Sequence, residues 1–323
     1  MECPSLKKIS IVLLFIAIVC IHSACTNFET GQMQNVGLLV DTSIDENGWS
    51  NKGYSGLLKI EEKFDVQVYY EENVDTKEEI NNAVAEFVEN GVNLIFGHSS
   101  MYGNSFLEIA ELYPDVHFIY FNGGSSAENV TSLNFDSHAM GFLGGIVAGE
   151  MTTSNQVGII GSYSWQPEIE GFFEGVKYQN EAAVIEMSFI SDWNDTETVA
   201  TVYENLKQAG VDVFYPIGDF SEEVIKMAEK DGLYAIGYIS DQLNIAPDTV
   251  LTSTIQHVDK LYVSSAKQYN NYNLEGGLLS FDFQDEVISL GEFNDRLPKA
   301  FQKKMADHVK DYMKTGLLPN EKE

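Results

Sequence analysis

Cysteine is missing from most of this chain. Its three cysteines, Cys3, Cys20 and Cys25, all fall within the first 25 residues, so the body contains neither a disulfide framework nor a thiolate metal site. Basic residues are scarce as well: 19 Lys and Arg stand against 49 Asp and Glu, for a formal net charge of -30. Beyond the N-terminus no basic stretch is interleaved with aromatics. That argues against a direct nucleic-acid interface, because phosphate binding draws on clustered Lys and Arg. Catalytic signatures are missing too. KGYSGL and GSYSW both miss the Gly-x-Ser-x-Gly spacing, and there is no P-loop, GxGxxG or HExxH. The six histidines are scattered, and a lone His such as His98 or His138 is more often a satisfied polar residue than a ligand. Acid pairs are so common here that none stands out for general acid–base work. Nothing in the sequence calls for an enzyme, a cofactor or a metal.

What is present begins with a distinct N-terminal segment. Lys7 and Lys8 precede the short apolar run ISIVLLFIAIVCI, and the small residues Ser23 and Ala24 lead to Cys25. Residues 1–25 read as an export signal, since the apolar run is short for a membrane span. A cysteine in this position resembles the lipobox of bacterial lipoproteins, which implies acylation of Cys25 and a short tether over 26–34. Cleaved secretion and an uncleaved anchor share much of the pattern, and His22 stands where an aliphatic residue is usual. The expected location is the extracytoplasmic face of the cell membrane.

At 323 residues the chain suffices for two domains. From Asn35, short apolar runs alternate with amphipathic stretches: VGLLV, VQVYY, VNLIFG and HFIYFN between helical patterns. Thr76 before Lys77, Glu78 and Glu79 reads as a helix N-cap, and the Gly of ENGV as a helix stop. The same grammar restarts after Thr152 with QVGII, EMSFI, VDVFYPIG and LYAIGYI. Such alternation predicts an α/β fold of two doubly wound, Rossmann-like lobes with a ligand cleft at the strand C-terminal ends. The simplest division gives the N-terminal lobe residues 35–150 plus 251–323 and the C-terminal lobe 151–250. In the tail, GLLSFDFQDEVISLGEF reads as a two-stranded ribbon.

Candidate binding residues gather at strand exits. Trp49 follows the first strand in DENGWSNKGYSGL, with Ser50 and Asn51 beside it; Trp193 follows a strand in the second half. His98, Asn122, SYSWQPE and Asp219 (in GDFSEE) sit after others. One aromatic from each lobe could clamp a planar ligand, since stacking on a base contributes about 1–3 kcal/mol. Packing within its own loop is the plain alternative for each Trp.

These blocks resemble the BMP (basic membrane protein, PnrA-like) family of bacterial substrate-binding lipoproteins. GWSNKGYSGL, NVTSLNFDSHAMGFLGGIVAGEMTTSNQVGIIG, AEKDGLYAIGYISDQ and VLTSTIQHVD carry the likeness. The resemblance implies a type I periplasmic-binding-protein fold, a small-molecule ligand and an ABC permease as partner. In the family's nucleoside binders two aromatics sandwich the base, and those positions fall on Trp49 and Trp193. The polar readers differ: Ser50 stands for an Asn, Asn122 for an Asp, Ile239 for an Asp and Gln256 for a Lys. A nucleoside-type cleft with altered readers follows, for a nucleoside-like or other planar solute. The likeness extends to a regulatory branch of Gram-positive lipoproteins. It implies, as the alternative, a positive regulator of competence gene expression acting through the envelope rather than by transport or direct DNA binding.

Overall fold

The computed structural model describes residues 32–44, 48–191 and 195–322. The signal segment with Cys25, residues 26–31 of the tether, and Trp193 lie outside the described residues.

In the first lobe, β1 (Asn35–Leu39), β2 (Gln67–Glu71), β3 (Val92–Gly97), β4 (His117–Phe121) and β5 (Val130–Phe135) alternate with α1 (Trp49–Phe64), α2 (Lys77–Glu89) and α3 (Tyr102–Ile109). Strand alternation sends Leu94 and Phe96 of β3 to one face and Ile95 to the other. The first face packs on Leu57 and Ile60 of α1, the second on Ile80 and Val84 of α2 and Phe106 of α3. Two buried faces are what near-continuous apolar strands demand. Thr76 caps α2 as expected: its side chain accepts from the Glu79 N–H, and Glu79 reaches back to the Thr76 N–H. Gly91 then takes φ +76° beyond the C-cap, the left-handed stop that glycine adopts without steric cost.

Helix α4 (His138–Met151) carries the chain into the second lobe. There β6 (Gln156–Gly161), β7 (Val184–Phe189), β8 (Val213–Ile217), β9 (Tyr234–Gly237) and β10 (Val250–Gln256) alternate with α5 (Pro167–Gln179), α6 (Thr196–Gln208) and α7 (Ser221–Asp231). Helices α4 and α5 lie backbone to backbone. A Cβ at Gly175 would overlap the Phe142 carbonyl oxygen, so that approach requires glycine.

The last stretch departs from the expected division. β10 does not return at 251. It stays in the second sheet, parallel to β9, and the chain crosses back only at α8 (Val258–Asn270), which packs on α1. The expected ribbon is also split. β11 (Gly277–Phe281) pairs parallel to β5 in the first sheet, whereas β12 (Ile288–Leu290) pairs antiparallel to β10 in the second. The sheet orders are β11-β5-β4-β3-β1-β2 and β12-β10-β9-β8-β6-β7. A strand's own residues set its propensity, not the sheet it joins, and each of these strands completes an edge that would otherwise stay unpaired. The terminal helix α9 (Lys299–Thr315) lies over the last crossover: Tyr312 Oη donates to Asp282 at 3.0 Å, and Lys304 Nζ donates to Gln179 of α5 at 3.0 Å. Three crossovers thus run side by side, joined where Asp136 N–H meets Phe281 O and His257 N–H meets Val287 O.

Candidate functional site

The strand C-terminal ends of both lobes face one cleft of about 690 Å³, within the range of small-ligand pockets. From the first lobe come Asp41 and Thr42 after β1, Ser99 to Met101 after β3, Asn122 after β4, and Asn134 to Ser137 around the end of β5. The second lobe supplies Tyr163 to Glu168 after β6 (Ser164 excepted), Asp219 after β8, Tyr238 and Ile239 after β9, and Gln256 closing β10.

Trp49 begins α1 and is half-buried. One ring face stacks on His98, with centroids 4.3 Å apart and planes 15° from parallel; its edges meet Phe121 and Phe135. Its Nε1–H donates to the His98 carbonyl at 2.8 Å. His98 is fully buried and shares a 2.9 Å hydrogen bond between Nδ1 and Tyr262 Oη, and Tyr262 stacks on Phe96 below it. Burial pushes the His98 pKa down to about 3, so the imidazole is neutral and the Trp rests on an uncharged aromatic column. Fixing the indole by packing and one hydrogen bond removes rotamer entropy that a ligand would otherwise have to offset.

Opposite stands a polar and aromatic wall. Tyr163 stacks with Trp165 at 5.7 Å, and Trp165 is 61% exposed. Glu168, at the start of α5, is 3% exposed, and its Oε1 accepts from Gln166 Nε2 and from Tyr238 Oη, each at 3.2 Å. Burial raises the Glu168 carboxyl above its usual range, partly offset by hydrogen bonds from its own backbone, Tyr238 and Gln166. Asp41 is raised for the same first reason, offset by its backbone and by Ser50.

Of the residues expected at the site, Trp49, Asn122, Asp219, Ile239 and Gln256 line the cleft together. Ser50, Asn51 and His98 stand behind the wall. Ser50 Oγ lies 2.7 Å from Thr42 Oγ1 and donates to Asp41; Asn51 Nδ2 donates to the Ile44 carbonyl at 2.7 Å; His98 supports Trp49. Trp193 is outside the described residues. Among those described, the aromatics on the second-lobe side are Tyr163, Trp165 and Tyr238, and the strand-exit block SYSWQPE was the available signal for the first two. Glu168 closes the same block, whereas Asp41 and Asp136 had no signal beyond position. Ile239 holds φ +65°, a left-handed conformation that costs a β-branched residue about 1–3 kcal/mol. Gln256 Nε2 donates to Ser137 Oγ at 3.1 Å, joining two crossovers.

The lobes also touch across the cleft. Asp219 Oδ1 accepts from the Trp49 N–H at 3.2 Å. This places a second-lobe carboxylate at the positive N-terminus of α1, where the first turn carries no acid of its own. Gly48 makes the approach feasible, since a Cβ there would come 2.9 Å from the Asp219 carboxylate. Among the described residues no group of three or more His, Cys, Asp or Glu is placed to hold a metal ion.

Two doubly wound lobes around a solute-sized cleft at their strand ends define the substrate-binding proteins of type I periplasmic-binding architecture. The chain belongs to the Bmp family, ABC transporter substrate-binding protein PnrA-like, which matches residues 33–322. It is 43% identical over 312 residues to the transcriptional activator protein med of Bacillus subtilis (strain 168), covering 96% of this chain and 98% of that protein. It is 25% identical over 256 residues to a purine-binding protein of Brucella abortus (strain 2308), covering 78% of this chain and 72% of that one. In structure it is similar to a transcriptional activator of the comK gene from Bacillus halodurans, at TM-score 0.82 and 43% identity, over 88% of this chain and 99% of that one. An ABC transporter solute-binding protein from Conexibacter woesei shares the fold at TM-score 0.72 and 17% identity, over 90% of this chain and 100% of that one. The family is one of solute-binding proteins, not enzymes. No helix among the described residues is long and apolar enough to cross a membrane.

Proposed function

We propose that the protein is an extracytoplasmic solute-binding protein, tethered to the membrane through acylated Cys25, whose cleft closes on a planar small molecule. The observation that carries this reading is Trp49: an indole fixed on His98 at the first-lobe wall of a 690 Å³ cleft, with Tyr163 and Trp165 on the second-lobe wall. In this reading the protein delivers its solute to an ABC permease. The ligand is nucleoside-like in shape and read differently, because Asn122, Ile239 and Gln256 take the places of charged readers. Ile239 cannot accept a bond from a sugar hydroxyl, and a buried hydroxyl without a partner costs about 1–3 kcal/mol. The two lobes act as the closing units, hinged at the three crossovers.

A second reading has support from the med and comK activator relatives: a positive regulator of competence gene expression that acts through the envelope. Direct DNA contact is disfavoured at a net charge of -30. Both readings share the cleft. Ligand-dependent melting across a metabolite panel tests it, since stabilisation follows RT ln(1 + [L]/Kd). A saturable shift that Trp49→Ala abolishes supports solute binding. No shift with any solute, together with a regulatory phenotype untouched by Trp49→Ala, would leave a docking role only. Mass measurement of the mature N-terminus tests acylation at Cys25.

A further inference from the structure

We propose that Gln166 is the positioning residue of the cleft's second-lobe wall: it sets the loop that presents Tyr163 and Trp165 to the solute. This rests on the cleft being a site for a planar solute and adds how one half of that site is held.

Gln166 lies in the short link between β6 and α5 and is 4% exposed. An amide so buried needs its polar atoms satisfied, and each bond it makes goes to a residue that lines the cleft. Its Oε1 accepts from the Tyr163 N–H at 3.1 Å; its Nε2 donates to Glu168 Oε1 at 3.2 Å and to Tyr238 Oη at 3.4 Å. Both amide N–H bonds are engaged within the protein, so Gln166 acts through its neighbours and not as a donor to the solute.

The partners of Gln166 are anchored in their turn. The Tyr238 N–H donates to Gln242 Oε1 at 2.8 Å, and Gln242, 7% exposed, donates from Nε2 to Ser221 Oγ and from its backbone to Ser253 Oγ. Glu168 belongs to the first turn of α5, where a Cβ on Gly141 of α4 would overlap its carbonyl oxygen. At the other end of the link, Ser162 donates from its N–H and its Oγ to the Ile217 carbonyl. Gln166 thus fastens a short loop to a fixed frame, closing it on Tyr163. Trp165 sits in that loop, 61% exposed and stacked on Tyr163 with planes 24° apart. An indole so exposed has little core around it and takes its direction from the loop and the Tyr163 ring. Aromatics set in place beforehand spare binding the entropy of ordering them, as His98 does for Trp49 across the cleft. The plain alternative is that Gln166 only satisfies the buried Glu168, which would affect stability and nothing at the wall.

The test has a ligand-free arm and a binding arm. With Trp49 and Trp193 replaced by Phe, Trp165 is the one tryptophan of the three remaining, and its time-resolved anisotropy reports the order of the loop. Gln166→Met, similar in shape without the amide, should at least double the fast local component. Calorimetry of the mature protein with adenosine, inosine, thymidine and tryptophol then reads binding. For any probe that binds, Trp165→Ala should weaken it about ten-fold or more, and Gln166→Met about five-fold or more. Thr76→Ala, which removes a helix cap in the other lobe, lowers stability and should move neither readout. If Gln166→Met fails to fold, Tyr238→Phe, which deletes one anchor of Gln166 and keeps the ring, should loosen Trp165 in the same sense. Unchanged Trp165 order in a folded variant, or unchanged affinity for a probe that wild type binds, overturns the inference and leaves solute binding intact. If wild type binds none of the four probes, the planar-solute reading fails for them, and the role of Gln166 in binding fails with it.

Discussion

His98 gives the sharpest quantitative expectation. Its ring is fully buried between Trp49 and Tyr262, and burial lowers its pKa from 6.5 to about 3. A depressed histidine favours the folded state only while the unfolded chain is also neutral. Stability from this site is therefore complete above about pH 6.5 and is lost as pH falls toward the folded value of about 3. At pH 5 the unfolded chain has gained about 1.5 units of proton affinity that the fold does not share, or about 2 kcal/mol at 1.36 kcal/mol per unit. His98→Phe removes the titration. It also strips Tyr262 Oη of its partner, an offset of about 1–3 kcal/mol. That offset is constant across this pH range, because burial holds the Tyr262 hydroxyl protonated. Urea unfolding of both proteins at pH 8 and pH 5 separates the two terms. The wild-type advantage should shrink by about 2 kcal/mol on acidification, while groups common to both, such as His117 (lowered to about 4) and Glu168, cancel in the difference. A pH-independent difference would mean that the ring is protonated within the fold, and the neutral column under Trp49 would be wrong.

Four other outcomes follow from the geometry. Asp219→Asn removes the carboxylate from the N-terminus of α1, weakening closure by about 1 kcal/mol, roughly a five-fold shift toward the open form; small-angle scattering of the ligand-free protein should show a larger radius, and an unchanged profile refutes the latch. Glu168→Gln removes a group whose folded pKa is raised, so the stability that wild type loses as pH climbs above the ordinary carboxyl range should be retained by the variant; parallel melting curves against pH would contradict this. Gly175→Ala forces α4 and α5 apart and should cost about 1–3 kcal/mol, read as a lower urea midpoint at unchanged slope. Trp49→Ala should abolish ligand-induced fluorescence change while leaving cooperative unfolding, since the column beneath it persists.

The alternation of strands and helices, the Thr76 cap and the Gly91 stop were legible because each depends on neighbours in sequence. The destination of β10 was not. VLTSTIQ reads as a strand whichever sheet takes it, and the available edge beside β9 decided the matter. Trp49, Asn122 and Asp219 were legible as strand exits, and Ile239 and Gln256 through the family resemblance; the fold brings all five to one face. The burial of Glu168 was hidden for a physical reason. In PEIEGFF it reads as one of the solvated acids common in a first helical turn, but the close approach of α4 at Gly141 buries it. Ser50 and His98 carried the right chemistry one layer too deep, because whether a strand-exit side chain faces the cleft or the wall behind it is settled by tertiary packing.

The cleft between Trp49 and Trp165 is expected to take a planar solute. Tryptophan fluorescence titration of the protein and its Trp49→Ala variant against a broad metabolite set checks this. A saturable signal is expected for at least one solute, accompanied by a rise in melting temperature and lost in Trp49→Ala. A flat response to every solute, with the melting temperature unmoved, would contradict it.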